Sequence, residues 1–127
     1  MRVLVLDDMQ ERLDWFKKQL IGHEATLVKQ ASSAISLLKK EQWDAVFLDH
    51  DLGGAPYVHN GPDGMSGMDV ANAIVNMDSF PPLVVVHSLN EDCRKEMVAR
   101  MVEVGCNALE LPFTTLMKTG ITLNTYV

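Results

Sequence analysis

The sequence predicts an α/β fold, a doubly wound parallel sheet of five strands, and three observations carry that prediction. Val3-Leu4-Val5-Leu6, Ala45-Val46-Phe47-Leu48 and Leu83-Val84-Val85-Val86 are short runs of β-branched and large apolar residues, the composition of strands buried on both faces. Amphipathic helical patterns alternate with these runs, as βα units require. Each run also ends in a polar cluster: Asp7-Asp8, Asp49-His50-Asp51 and His87-Ser88-Leu89-Asn90. Ligands bind beyond the carboxyl ends of strands in such sheets. Four carboxylates, two histidines, a hydroxyl and an amide are therefore expected to converge on one small volume.

The elements follow in order. After the first strand, Met9, Leu13, Phe16 and Leu20 mark one face of a helix ending near Gly22, with Asp8 and Glu11 at its start resembling a capping box. Ala25 to Gln30 reads as a second strand, weakened by Lys29. Ser32 or Ser33 is placed to cap a second helix carrying Ile35, Leu37 and Leu38, which ends before Trp43. Asp44 to Leu48 is the third strand. The segment from Gly53 to Gly67 is rich in structure-breaking residues and reads as a long loop. A third helix then holds Met68, Ala71, Ile74 and Val75, and Pro81-Pro82 introduces the fourth strand. Ser88 and Glu91 have capping-box spacing for a fourth helix whose buried stripe is Met97, Val98, Met101 and Val102. Gly105 ends it. Asn107 to Leu111 is a short fifth strand, and Pro112 to Lys118 a final helical turn or two.

Length and composition narrow the classes. At 127 residues, 47% hydrophobic and 22% charged, the chain reads as a single globular domain over residues 1–127. No apolar stretch reaches membrane-spanning length, and Met1-Arg2-Val3 leads into a strand rather than a signal peptide, so a cytoplasmic location is expected. Cys93 and Cys106 lack zinc-like or CxxC spacing and read as reduced thiols. The net charge of −6, from 17 acidic and 11 basic residues, disfavours extended nucleic-acid binding. A small anionic ligand fits only with a cation to offset the acids.

With these residues in place, the chain resembles a response-regulator receiver domain over nearly its whole length. Asp7-Asp8 matches the family's paired metal-binding acids, and Asp49 stands at its phosphorylated aspartate. Ser88 stands at its hydroxyl position, and Leu111-Pro112-Phe113 aligns with its Lys-Pro-Phe. The resemblance implies a flavodoxin-like sheet of order 2-1-3-4-5, with the three polar clusters meeting at the switch point between strands one and three. Departures are also visible. Leu111 replaces the phosphoryl-contacting lysine, residues 106 to 111 lack the switch aromatic, the loop between the third strand and third helix is long, and the last helix looks truncated. The strings Leu48-Asp49-His50-Asp51-Leu52-Gly53 and Val86-His87-Ser88-Leu89-Asn90 resemble a narrower group, the cyclic-phosphate processing receivers.

Chemistry assigns a candidate role to each residue. Asp7, Asp8 and Asp49 form an oxygen-ligand set for Mg2+ or Mn2+. Asp49, His50 and His87 are the candidate catalytic groups, the histidines as general acid or base. Ser88, Asn90 and Arg94, at the start of the fourth helix, are candidate phosphate ligands, although Ser88 also reads as a helix cap and Arg94 as a solvated surface residue. Asp51 reads as a supporting acid or a turn cap, and Tyr57 and His59, with Asn60 and Asp63, as parts of a lid over the site or of a mobile surface loop. The leading function is a metal-dependent phosphoesterase-like enzyme acting on a cyclic phosphate or a small nucleotide-derived phosphate. The alternative is a stand-alone receiver phosphorylated on Asp49 by a kinase or small phosphodonor. A degenerate receiver-like interaction module is the third reading.

Overall fold

A computed structural model describes residues 1–123 of the chain. The elements are β1 (Arg2–Leu6), α1 (Gln10–Gln19), β2 (Glu24–Val28), α2 (Ala31–Lys40), β3 (Ala45–Leu48), α3 (Gly67–Val75), β4 (Leu83–Val86), α4 (Glu91–Glu103), β5 (Ala108–Glu110) and α5 (Phe113–Thr119). The strands pair in parallel in the order β2-β1-β3-β4-β5, the order the resemblance implies. From β1 the sheet grows in opposite directions to β2 and to β3, which opens a crevice at the carboxyl ends of β1 and β3.

Successive side chains of a strand point to opposite faces, so each apolar run feeds two cores. Leu4, Leu6, Val46, Leu48, Val84 and Val86 pack with Ala34 and Leu38 of α2, Ile74 of α3, and Met97 and Met101 of α4. Val3, Val5, Phe47 and Val85 pack with Leu13 and Phe16 of α1 and with Phe113 and Leu116 of α5. Burial on both sides is why the central strands read as unbroken apolar runs. Edge strand β2 is partly exposed and tolerates polar residues. Among the described residues no helix is long and apolar enough to cross a membrane.

The elements fall where expected, with β2, β3 and β5 shorter than predicted, but the helix starts differ. Asp8 does not cap α1. Its carboxylate accepts the N–H of Gly54, while Asp7 takes the N–H of Met9 at 2.9 Å, so Met9 is a cap without a side-chain bond. Neither Ser32 nor Ser33 caps α2, because Asp63 reaches in from the long loop and accepts the Ser32 N–H at 3.0 Å. At α4 the cap is Asn90, whose side chain accepts from the N–H of Cys93 at 3.3 Å, rather than Ser88. The capping box that does form is Ser66 with Asp69, ahead of α3. In α4, Met97 and Met101 are fully buried but Val102 is 51% exposed. Residues 94, 97 and 101 share the inward face at 3.6 residues per turn, and Val102 falls outside it.

The segment between β3 and α3 is pinned rather than loose. Leu52 and Gly53 donate to the carbonyls of His59 and Val58 at 3.0 and 2.9 Å, closing a tight reversal. At its far end, Gly67 donates to the carbonyl of His50 at 2.9 Å. A Cβ at Gly67 would lie 1.9 Å from the Asp49 carbonyl oxygen, so only glycine lets α3 begin against the end of β3.

Candidate functional site

Two buried carboxylates lie at the centre of the crevice. Asp7, just past β1, is fully buried. Its Oδ2 lies 2.9 Å from His87 Nε2 and 3.6 Å from Arg12 Nη1. Burial opposes its charge, but the hydrogen bond and charge of His87, the Met9 N–H and Arg12 outweigh it and hold Asp7 below the ordinary carboxylate range. Asp49, just past β3, accepts the His50 N–H on Oδ1 at 2.8 Å and keeps Oδ2 3.6 Å from Arg12 Nη1. Burial, and then the charge of Asp7, push its pKa from 3.8 up to about 7, which His87 and Arg12 offset only in part. Asp8 is also raised, by burial and by Asp7, with the Gly54 N–H opposing.

Each histidine stands behind a carboxylate. His87 is fully buried, its ring 5.0 Å from that of Phe16, and its Nδ1 has no hydrogen-bond partner among the described residues. A hydrogen bond to the Asp7 carboxylate needs a proton on Nε2, the nitrogen that faces it. His50 places Nδ1 2.7 Å from Asp51 Oδ1. The other oxygen of Asp51 accepts the Tyr57 N–H at 3.0 Å, and Asn90 Nδ2 lies 3.4 Å from both oxygens. Tyr57 makes its bond to Asp51 from left-handed backbone at φ 61°, uncommon for a residue other than glycine.

A cavity of about 80 Å³ opens over these groups, lined by Asp8, Arg12, Asp49, Asp51, Tyr57, Ser88 and Asn90, with Met9, Ala55, Pro56 and Leu89. It has room for a few waters or a hydrated cation with a phosphoryl group, and the rest of a larger ligand would extend outside. A groove of about 1110 Å³ lies at the opposite end of the sheet, between Arg2, Trp43, Phe80 and Pro82. Larger size does not make it the chemical site, because none of the strand-end clusters reaches it.

Of the sequence-predicted residues, Asp8, Asp49, Asp51, Tyr57, Ser88 and Asn90 share the cavity wall, whereas Asp7, His50 and His87 lie behind it. His59 meets the ring of His50 edge-on at 4.9 Å, outside the cavity. Arg94 is neither solvated nor turned to the cavity. It donates to the Ser88 carbonyl and to Glu110, each at 2.9 Å, and so braces the start of α4. The cation at the centre is Arg12, which the sequence reading missed. The available signal was its place in the first turn of a helix that begins just past Asp7.

Asp7, Asp49 and His87 offer donor atoms within 4.8 Å of one another, an arrangement able to hold a metal ion. The oxygens of Asp7 are already engaged by Met9 and His87, so Asp8 and Asp49 are the carboxylates that face the cavity. A donor set dominated by carboxylate oxygen fits a hard divalent cation.

A parallel sheet of order 2-1-3-4-5 with acids past β1 and β3 and a serine past β4 defines a receiver-like domain. The chain belongs to the cyclic-phosphate processing receiver domain family, which it matches over residues 2–103. Solved structures carry the same fold. The response regulator TrrA from Thermotoga maritima, in complex with Mg2+ and BeF, is similar at 17% identity and a TM-score of 0.69, over 99% of this chain and 98% of that one. CheY4, a chemotaxis response regulator of Vibrio cholerae, is similar at 18% identity and 0.64, over 99% and 98%. NtrX from Brucella abortus, in complex with ADP, is similar at 23% and 0.66, over 98% of this chain but 27% of its own length. No curated protein matches the chain in sequence.

Proposed function

We propose that the chain is a divalent-metal-dependent phosphoesterase-like enzyme acting on a cyclic phosphate or a small nucleotide-derived phosphate. The observation that carries this reading is the convergence of Asp8, Asp49 and Asp51 with Arg12, Ser88 and Asn90 on one small cavity at the start of α4. A Mg2+ or Mn2+ ion held by Asp8 and Asp49, with Asp7 behind them, would polarise a phosphoryl oxygen. Arg12 and the first N–H groups of α4 attract non-bridging oxygens, and the Ser88 hydroxyl adds a donor beside them. Asp51 faces the cavity and moves the proton of an attacking water or a leaving oxygen. His50 orients Asp51, and His87 orients Asp7. Both histidines are therefore positioning residues, a revision of the direct acid–base role read from the sequence.

One observation favours a second reading. Asp49 sits at the end of β3 in a receiver fold, and TrrA takes Mg2+ and BeF on that fold. In that reading Asp49 accepts a phosphoryl group from a kinase or small phosphodonor. The test is to incubate the chain and its Asp49→Asn variant with Mg2+ and, separately, a small phosphodonor and a panel of cyclic nucleotides, followed by mass spectrometry. Product release from a cyclic nucleotide without a stable adduct supports the enzyme. A gain of one phosphoryl group, absent from the variant, supports the receiver. If neither product nor adduct forms, the interaction module is the reading that remains.

A further inference from the structure

We propose that His50, His59 and Cys93 form a second metal site, one that takes a borderline-soft divalent cation such as Zn2+ and is separate from the oxygen-lined cavity. The three residues come from three segments: the end of β3, the β3–α3 loop and the first turn of α4. Each offers one donor atom, and these atoms lie within 4.8 Å of one another. Two imidazoles and a thiolate are ligands for zinc rather than magnesium.

The surroundings fit that ion. Nδ1 of His50 is held 2.7 Å from Asp51 Oδ1, which fixes the ring, and among the described residues no hydrogen bond engages its Nε2, the nitrogen that would coordinate. A carboxylate behind a ligating histidine is the usual support of a zinc site. In a tetrahedral site with Zn–N of about 2.0 Å and Zn–S of about 2.3 Å, donor atoms sit roughly 3.3–3.6 Å apart. Donor atoms already within 4.8 Å of one another reach that spacing by side-chain adjustment alone. His50 is buried, the His59 side chain is 50% exposed and Cys93 is half-buried, so the ion has a route in and a fourth position open to water. Binding converts the Cys93 thiol to a thiolate and releases its proton to solvent. The bound ion ties the loop to α4, and through Asp51 it steadies the wall of the phosphate cavity.

The test is titration of the metal-free full chain with Zn2+ against a chromophoric chelator, and with Co2+ by absorption. With the carboxylate cavity filled by excess Mg2+, one equivalent of either ion is expected, and Co2+ should give a near-ultraviolet thiolate charge-transfer band that the Mg2+ does not remove. Cys93→Ser should abolish that band. His59→Ala, on an exposed loop, and Asp51→Asn should each weaken Zn2+ binding by about 10–100-fold. Cys106→Ser, and His23→Ala at the contact with the N-terminal amine, should change neither. Absence of the band in the unsubstituted chain, its survival in Cys93→Ser, or unchanged affinity in His59→Ala would overturn the proposal.

Discussion

Asp49 carries the opposing demands of the site: it is nearly sealed from water, 3% exposed, and shares its surroundings with the anionic Asp7. Its carboxyl, at 3.8 in the unfolded chain, titrates near 7 in the fold, so between these values the native state binds the extra proton. Stability from this group is complete below about pH 4 and falls as pH rises through about 7, by a few kcal/mol at most. In metal-free buffer, denaturant unfolding of Asp49→Asn should therefore show a stability gain over the unsubstituted chain that grows with pH across this window and then levels off. A gain that does not vary with pH would mean that burial does not govern Asp49. Removing the ring of His87 leaves Asp7 buried without its main partner, and His87→Ala should cost about 3–5 kcal/mol in the same assay. The strand-end acids were legible because they interrupt apolar runs. Histidine geometry was not, since sequence neighbours do not reveal which carboxylate claims each ring. Arg12 hid for a related reason: a charged residue in a helix reads as surface until the end of the strand beside it is located.

At the scale of elements, the helices and strands were legible because their periodicities differ and both strand faces are buried. Their starts were less so, because capping groups come from outside the element. Asp63 reaches α2 across 31 residues, and Asp8 turned to the loop rather than to its own helix. These two contacts fasten the long β3–α3 loop to the carboxyl end of the sheet. Gly67 shows how tightly this end of the sheet is assembled. Gly67→Ala places a methyl 1.9 Å from the Asp49 carbonyl oxygen. It should lower stability by about 2 kcal/mol or more and shift the Asp49 carboxylate away from the cavity. A thermal-unfolding curve that overlays the unsubstituted chain would show that α3 is not packed against the end of β3 in this way.

Across the whole molecule, the sheet order brings residues 7–8, 49–51 and 88–90 to one end, and no single segment holds the site. That convergence was readable once the βα alternation fixed a parallel sheet. The three residues of the proposed zinc site, His50, His59 and Cys93, were not, because their separations match no local metal motif. Three acids gathered on one cavity favour cation binding to the folded chain over the unfolded one. Mg2+ at about 100 times its Kd should stabilise the fold by about 2.7 kcal/mol, seen as a rise in Tm that Asp49→Asn abolishes. The central claim, metal-dependent chemistry at Asp49, is tested most directly by the initial rate of cyclic-phosphate opening as Mg2+ is titrated into the unsubstituted chain and Asp49→Asn. The account predicts a rate that saturates with Mg2+ and falls at least about 100-fold in the variant. A rate independent of Mg2+, or equal in the two proteins, would contradict it.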